Sequence, residues 1–331
     1  MAASAGWLST MNIVREATWG TTPAGIATDA FTIPLLNSVS IGPIVPTAIN
    51  AGHVRDGKNS IQERYTGSGR LAAGFTGAQT PLTPRVMQWL FANFLQNATT
   101  ALAAADLTQD LNYTGAQCLG SGGTPAGCPY TFDKIMGAAA ACERMAGGVI
   151  TKIGIDLPQL GQGVVTFDAI GEDEAQPGSI DTDPTILTDT ALCTKDMTFE
   201  WATAPIVPIS ANIEFTNSAF PVWTKGTAPV AILRGPLAMT ASLTFDWGAV
   251  GATWESSLRT GAVSQFELFW GTATNTGYFH IDIDAKITGN SQTEADGLER
   301  FTVNFEGMLG TSSASSFDIV TNAAQNFDFA T

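Results

Sequence analysis

Apolar and polar residues alternate over several stretches of the second half of the chain, a pattern typical of strands with one buried and one solvent-facing side. Between residues 239 and 246, for example, Met239, Leu243 and Phe245 alternate with Thr240 and Asp246. The first half has fewer such stretches, and short apolar runs between turn residues mark its strands. Together these patterns predict strands at 31–36, 70–76, 148–157, 162–171, 197–203, 209–217, 236–247, 263–270, 277–288 and 299–309.

Two segments have the spacing of a helix. Apolar residues recur every three to four positions after Thr83 and Pro84, which suit the N-cap and the first helical position. This predicts a helix over 84–96 with one apolar face. A second, shorter helix is predicted over Thr253–Thr260, with Gly261 as its stop.

The order of elements repeats along the chain. The stretch from Gly69 to Thr76 precedes the first helix as Gly235 to Phe245 precedes the second, and in each half a hairpin follows. The two halves therefore look like copies of one unit, and chance similarity between two β domains is the alternative.

The predicted fold is mainly β, with two tandem β-sandwich or barrel domains, each with a short flanking α-helix. The first domain covers 1–171 and includes a long polar loop at 43–70. An acidic, proline-containing linker at 172–196 leads to a second domain at 197–310, and residues 311–331 form a C-terminal arm, either docked on a neighbour or frayed.

The net charge and its distribution along the chain limit the classes of function that are possible. The 331 residues include 30 acidic and 15 basic side chains, a net charge of −15. Residues 1–100 carry six basic and four acidic side chains (net +2), and residues 101–331 carry nine and 26 (net −17). This excess of acidic side chains argues against a protein that binds the phosphate backbone of nucleic acids. The two unlike ends could attract each other between copies, or both could be ordinary solvated surfaces.

The start of the chain lacks the pattern of a Sec-type signal peptide, and no apolar run is long enough to predict a membrane span.

Candidate chemistry is sparse. The chain has two histidines and none of the common catalytic motifs, so we expect no enzyme, no metal and no cofactor. His280, Asp282 and Asp284 share one side of a strand and could bind a metal, although an exposed polar side explains them more simply. Asp181 starts an incomplete calcium-loop pattern. Cys118 and Cys128 flank a glycine-rich loop and could form a disulfide in oxidising surroundings; free thiols are the alternative.

Three stretches carry a resemblance to a known family. They are Val14-Arg-Glu-Ala-Thr-Trp-Gly-Thr-Thr-Pro23 followed by Phe31-Thr-Ile-Pro34, the charged loop that closes with Tyr65-Thr-Gly-Ser-Gly69 before a strand, and the later order of strand, short helix and hairpin. In these features the chain resembles the tail tube proteins (major tail proteins) of long-tailed bacteriophages.

The resemblance implies two tail-tube-like domains whose sheets join those of neighbouring subunits into a continuous barrel. Rings would stack through loop 43–70, whose Arg55, Lys58, Arg64 and Arg70 would meet acidic groups of the next ring. Three chains would make a ring of pseudo-sixfold symmetry; six chains, with one half as an outer decoration, is the alternative.

The implied function is a hollow, negatively charged conduit for DNA ejection, with Asp168, Asp246, Asp282 and Asp284 as candidates for the lumen wall. The implied partners are further copies of the chain and the tape-measure, tail-tip and tail-terminator proteins, and genomic DNA would pass without specific binding. The protein would be made in the host cytoplasm and reside in the virion. Other assignments are a capsid-decoration, surface-layer or pilus-like subunit, or a carbohydrate-binding or hydrolytic β-sandwich built on the eight Trp and 18 Phe.

Overall fold

A computed structural model gives the fold. It describes residues 9–28, 30–44, 50–55, 61–66, 72–95, 129–136, 142–175, 179–186, 190–201, 204–223, 229–246, 254, 257, 259–271, 278–295, 298–307 and 318–322.

The described residues form 21 strands, one complete α-helix and two short 3-10 helices (Ala24–Ala27 and Thr194–Asp196), which confirms the mainly β class. The α-helix is α1 (Pro84–Leu95). The strands are β1 (Ser9–Arg15), β2 (Phe31–Pro34), β3 (Gly42–Ile44), β4 (Asn50–Arg55), β5 (Ile61–Thr66), β6 (Ala72–Pro81), β7 (Tyr130–Met136), β8 (Glu143–Leu157), β9 (Val164–Gly171), β10 (Asp173–Ala175), β11 (Thr185–Ile186), β12 (Met197–Trp201), β13 (Ala204–Ile206), β14 (Ser210–Thr216), β15 (Phe220–Val222), β16 (Ala231–Leu233), β17 (Ala238–Asp246), β18 (Val263–Trp270), β19 (Tyr278–Ala295), β20 (Leu298–Gly307) and β21 (Asp318–Asn322).

One antiparallel sheet runs through both halves of the chain. Its order is β19–β20–β17–β14–β8–β9–β6–β3, and we call it the long sheet. The halves meet where β14 pairs with β8, with Ala211 opposite Leu157 and Thr216 opposite Lys152. Because this junction is an ordinary run of strand pairing, the sheet crosses from one half to the other without a break.

Two smaller sheets cover the long sheet. The first has the order β10–β8–β7–β1–β2–β11, and the second has the order β21–β19–β18–β12–β13. The long strands β8 and β19 belong to both layers: in β8, residues 143–148 pair with β7 and residues 149–156 pair with β9. Phe199 of β12 contacts Phe245 of β17 and Phe305 of β20, so the layers face each other across the core.

α1 lies between the layers. Its start is as predicted, because the Thr83 hydroxyl accepts a hydrogen bond from the N–H of Val86 at 3.3 Å. All 12 helix residues are buried, however, so the helix is not the one-sided, flanking element that the spacing suggested. Its rings contact Phe31 and Tyr130 of the first small sheet and Phe215 of the long sheet.

The second predicted helix occupies the equivalent place in the other half. Its described residues, Trp254, Ser257, Arg259 and Thr260, are helical, and Gly261 follows with φ +61°. The N–H of Ala262 donates to the carbonyl of Ser257 at 3.3 Å, the bond that closes a Schellman helix end. Trp254 is buried between Phe245 and Phe199.

The strand pairings of the first half recur in the second. Eight pairings of the first half have a counterpart in the second. They are β1–β2 with β12–β13, β1–β7 with β12–β18, β7–β8 with β18–β19, β8–β9 with β19–β20, β9–β6 with β20–β17, β6–β3 with β17–β14, β8–β10 with β19–β21, and β4–β5 with β15–β16. Two tandem domains are not thereby confirmed, because one sheet and one main hydrophobic core run through both halves.

Two segments predicted to stand apart pair with the rest of the chain. Within the expected linker 172–196, β10 pairs with β8 and β11 pairs with β2. Within the expected C-terminal arm, β21 pairs with β19 of the same chain. The sequence did not show these pairings because each strand is short and its partner is distant in the chain.

Candidate functional site

The solvent-facing side of the long sheet is lined with polar side chains on β14, β17 and β20, and we call it the polar face. It is rich in hydroxyl and amide groups: Ser210, Asn212, Thr240, Ser242, Thr244, Thr302 and Asn304 lie side by side on neighbouring strands. Thr244 and Thr302 hydroxyls are 3.1 Å apart across β17 and β20. Strict alternation along each strand puts these groups on one side and the core on the other.

The cations of the polar face are matched by carboxylates. Lys152 Nζ lies 2.5 Å from Glu214 Oε2, and Lys286 Nζ lies 3.0 Å from Glu306 Oε2. Arg300 is directly opposite Asp246 in the strand register. Counting these pairs together with Asp156 and Asp168, the described residues of the face carry five carboxylates and three cations. The face is therefore polar and weakly acidic, and each of its cations has an anionic neighbour.

The four predicted lumen residues divide between two surfaces. Asp168 and Asp246 lie on the polar face, although Asp168 also accepts the N–H of Gly77 at 2.7 Å and so supports a bulge in β6. Asp282 and Asp284 lie in the first half of β19, where its partner is β18 of the second small sheet. Register thus places two of the four on one face but at opposite ends of it, because the row of Asp168 leads through Lys152 and Thr216 to Ala238, at the other end of β17 from Asp246.

Asp282 belongs to a row of carboxylates on the second small sheet. Glu200, Glu267 and Asp282 are directly opposite one another on β12, β18 and β19. Burial raises the pKa of Asp282, and the neighbouring Glu267 and Asp284 act in the same direction, whereas the hydrogen bond from Gln265 at 2.8 Å and the nearby His280 oppose them. His280 Nε2 lies 3.4 Å from Glu267 Oε2. Like charges directly opposite each other destabilise a sheet, so the row lowers stability.

A metal is not indicated at this row. Within the described ranges, no group of three or more His, Cys, Asp or Glu side chains is placed to hold a metal ion. The calcium-loop pattern at Asp181 has a structural role: its buried carboxylate accepts the N–H groups of Ala30 at 3.1 Å and Asp183 at 2.9 Å. It thereby ties the 179–186 segment to the strand that begins at Phe31.

The other predicted site residues are only partly covered. Arg55 and Arg64 lie in the β4–β5 hairpin, where Arg64 is paired with His53. Lys58 and Arg70 lie outside the described residues, as do Cys118 and Cys128. The structure shows that part of the predicted loop 43–70 is this hairpin, and the inter-ring role of its basic residues stays a prediction.

The motif at the start of the chain forms a buried anchor that the sequence did not reveal as such. Glu16 is 1% exposed and accepts three hydrogen bonds of 2.7 Å, from the N–H groups of Gly20 and Gly147 and from the Thr131 hydroxyl. Trp19 Nε1 donates to the Gly147 carbonyl at 3.1 Å. Burial raises the pKa of Glu16 to about 7, with a smaller contribution from Glu172.

Buried polar groups also fix the junction of the two halves. Asn93 of α1 donates to the Gly148 carbonyl at 2.9 Å and accepts the N–H of Ile150 at 2.6 Å, where β8 passes from one sheet to the other. Asn217 donates to the Ile150 carbonyl at 2.8 Å, and Arg234 donates to the carbonyls of Phe94 and Leu95 at the end of α1. These bonds hold the second half against the helix of the first.

Comparisons with known proteins add no family. No protein-family model matches the chain, and a search of the curated proteins found no match. Among the described residues, no helix is both long and apolar enough to cross a membrane.

Proposed function

We propose that this protein is the subunit of the tail tube of a long-tailed bacteriophage, assembling into stacked rings around a lumen that conducts DNA. The observation that carries the proposal is the long sheet: among the described residues it continues through both halves, whereas the strands of each small sheet come from one half. A sheet that continues from subunit to subunit closes into a barrel and leaves no exposed strand edges.

The polar face is the proposed lumen wall. DNA passes a wall without being held when the wall offers no unpaired cations to its phosphates, because phosphate contacts and counterion release supply most non-specific affinity. The ion pairs of Lys152 with Glu214 and of Lys286 with Glu306, and the position of Arg300 opposite Asp246, meet this condition. Asp168 and Asp246 are proposed to line the lumen, and Asp156 and Asp168, which are additional to the three pairs, would give the wall its excess negative charge.

The internal repeat supports the proposed ring. Each chain would contribute two tail-tube-like halves, so three chains give pseudo-sixfold symmetry, and six chains remain the alternative. The β4–β5 hairpin pairs only with itself in the described part of the chain, which suits an arm that reaches another subunit. Its basic residues Arg55, Lys58, Arg64 and Arg70 are proposed to bind acidic groups of the adjacent ring.

The proposal implies a structural protein without enzymatic activity or cofactor, located in the virion. Its partners would be copies of itself and the tape-measure, tail-tip and tail-terminator proteins. The expected result of negative-stain microscopy on purified protein at rising concentration is hollow tubes with a regular ring repeat. Solid fibres or flat sheets would instead favour a pilus-like or surface-layer subunit, and glycan binding without tubes would favour a carbohydrate-binding β-sandwich.

Labelling tests the lumen assignment directly. In a background without the native cysteines, Asn212→Cys and Asp246→Cys place thiols on the polar face, and Asp196→Cys places one on an exposed turn outside it. A maleimide reagent too large for the lumen should label all three in free subunits but only Asp196→Cys in tubes. Equal labelling of all three in tubes would exclude the polar face as the wall, and Asp284→Cys in the same assay shows which side the second small sheet takes.

A further inference from the structure

The internal repeat identifies the two strand edges at which neighbouring subunits would join. In the first half, the C-terminal part of β8 has β9 on one side and β14 of the second half on the other. The equivalent part of β19, residues 287–295, has β20 on one side only among the described residues. In the same way β14 pairs on both sides, with β17 and β8, while its counterpart β3 has β6 as its one partner among the strands that the structure describes.

The equivalence holds at the level of single residues. A register shift leaves Thr151 as a bulge in β8 and Thr288 as a bulge in β19, so the residues that follow, Lys152 and Gly289, occupy equivalent positions. Following the pairings from β19 to β17 and from β8 to β6 makes Gly42 of β3 equivalent to Glu214 of β14. The internal junction β14–β8 is thus a template for a second junction.

We propose that the β3 edge of one copy pairs antiparallel with residues 289–294 of β19 in a second copy, in the register of the internal β14–β8 junction. Glu214 is opposite Gly154 and Thr216 is opposite Lys152 in that junction. The transferred register sets Gly42 opposite Ser291 and Ile44 opposite Gly289 of the second copy. This inference rests on the proposed function and specifies its subunit contact.

The pairing would continue the long sheet and its polar face from copy to copy. The two edges are different surfaces at opposite ends of one sheet, so the contact is head-to-tail, and such contacts close into rings when the rotation per copy permits. Each chain would have one internal junction (β14–β8) and one junction with the next copy (β3–β19), so the two kinds of junction would alternate around each ring.

The β3 edge is protected in the single chain. Pro43 has no N–H, so its pair with Ala73 is not the hydrogen-bonded kind, and the backbone groups of Pro43 and Ile41 must point away from β6. The outward N–H of Ile41 donates to the Glu143 carboxylate at 2.7 Å, and Ser40 donates to the same group. Glu143 therefore occupies a backbone donor that a neighbouring strand would use, and it must leave when the copies join.

The β19 edge is kept soluble by its side chains. The internal junction is apolar on its core side, where Ile153 and Ile155 meet Phe215 and Ile213. The equivalent positions of β19 are Asn290 and Gln292, and both are exposed. Polar residues on an edge strand oppose indiscriminate pairing, which suits a subunit that stays dissolved until it assembles.

Cysteine cross-linking tests the register. A side chain added at Gly42 would meet open space and Ser291 is exposed, so Gly42→Cys with Ser291→Cys can be combined in a background without native cysteines. The pair would be a non-hydrogen-bonded one, whose side chains approach closely. Mild oxidation of assembled protein should give covalent oligomers that end at the number of copies per ring. The matched control is Gly42→Cys with Gln292→Cys, whose thiols point to opposite sides of the sheet and should stay unlinked.

The outcomes separate this inference from the proposed function. Tubes without the Gly42–Ser291 cross-link would overturn the inferred junction and leave the tube function standing. Cross-linked oligomers without tubes would support the junction and count against the tube. If neither tubes nor the cross-link form, the inferred junction and the proposed tube function are both rejected.

Glu143→Ala gives an independent test. Removing the competing carboxylate should lower the protein concentration at which assembly begins, whereas Glu143→Gln, which keeps a carbonyl acceptor, should change it less. A higher threshold in Glu143→Ala, with an unchanged melting temperature, would contradict the idea that Glu143 caps the joining edge.

Discussion

The buried carboxyl of Glu16 should make the stability of this protein depend on pH in a direction opposite to that of a salt-bridged acid. Its pKa is raised from 4.5 to about 7 in the folded chain, chiefly by burial. Because the folded state then binds the proton more tightly than the unfolded state, protonation stabilises the fold. This contribution is fully present below about pH 4.5 and is lost as the pH rises through about 7.

The magnitude follows from the size of the shift. A pKa unit corresponds to about 1.4 kcal/mol, so the difference between 4.5 and about 7 gives about 3 kcal/mol at most. Glu16 is 1% exposed, so solvent screening takes little from this value. The N–H groups of Gly20 and Gly147 and the Thr131 hydroxyl already act to lower the pKa, so the raised pKa reflects burial that outweighs three hydrogen bonds.

The assay is urea unfolding of wild type and Glu16→Gln from pH 4.5 to 8.5, at concentrations below assembly. The glutamine places an NH₂ group against a backbone N–H that donated to the carboxylate, which costs about 1–3 kcal/mol at every pH. The informative quantity is therefore the change with pH. The advantage of wild type over the variant should shrink by about 3 kcal/mol across the range.

Glu299→Gln, which removes one exposed carboxylate, controls for the general loss of a negative charge. Profiles of wild type and Glu16→Gln that stay parallel from pH 4.5 to 8.5 would refute the reasoning. A ¹³C titration of the Glu16 carboxyl would then locate its pKa independently.

Three further predictions concern the core. Asn93→Leu should lower the free energy of unfolding by about 2–4 kcal/mol, because it leaves the buried Gly148 carbonyl and Ile150 N–H unpaired; an unchanged urea midpoint would contradict this. Gly147 and Gly77 both have φ near +65°, but a methyl group added at Gly147 would meet the Trp19 ring at 2.9 Å, whereas one added at Gly77 would meet nothing. We expect Gly77→Ala to lower the free energy of unfolding by about 1–2 kcal/mol and Gly147→Ala to lower it clearly more. Equal melting temperatures of the two variants would contradict the close contact. Arg144→Met should lower the free energy of unfolding by about 3–5 kcal/mol, because it leaves Asp133, which is 0% exposed, without the cation that donates to both its oxygens at 2.6 Å. The double variant Asp133→Leu with Arg144→Met should recover most of this loss in chemical unfolding. Failure to recover would mean that the pair is needed for more than charge balance.

The sequence determined the elements whose signals are local. Alternation marked the strands of the second half because one side of each is buried and the other is wet. Thr83 and Pro84 fixed the start of α1, and Gly261 fixed the end of the second helix, because end signals depend on a few adjacent residues. The repeated order of strand, helix and hairpin also came from short stretches.

The tertiary structure alone decided the burial of α1, the linking of the halves and the roles of the buried polar groups. Helical spacing predicts one buried side, but α1 is enclosed by two layers, and Asn93 is tolerated there because β8 supplies its partners. β7 was not predicted because Thr131 and Asp133 interrupt its apolar pattern, and their partners come from elsewhere in the chain: Glu16 directly follows β1, and Arg144 lies in β8. A polar residue is expected to be exposed when only the sequence is considered, and the groups that pack against it from elsewhere in the chain determine whether it can be buried.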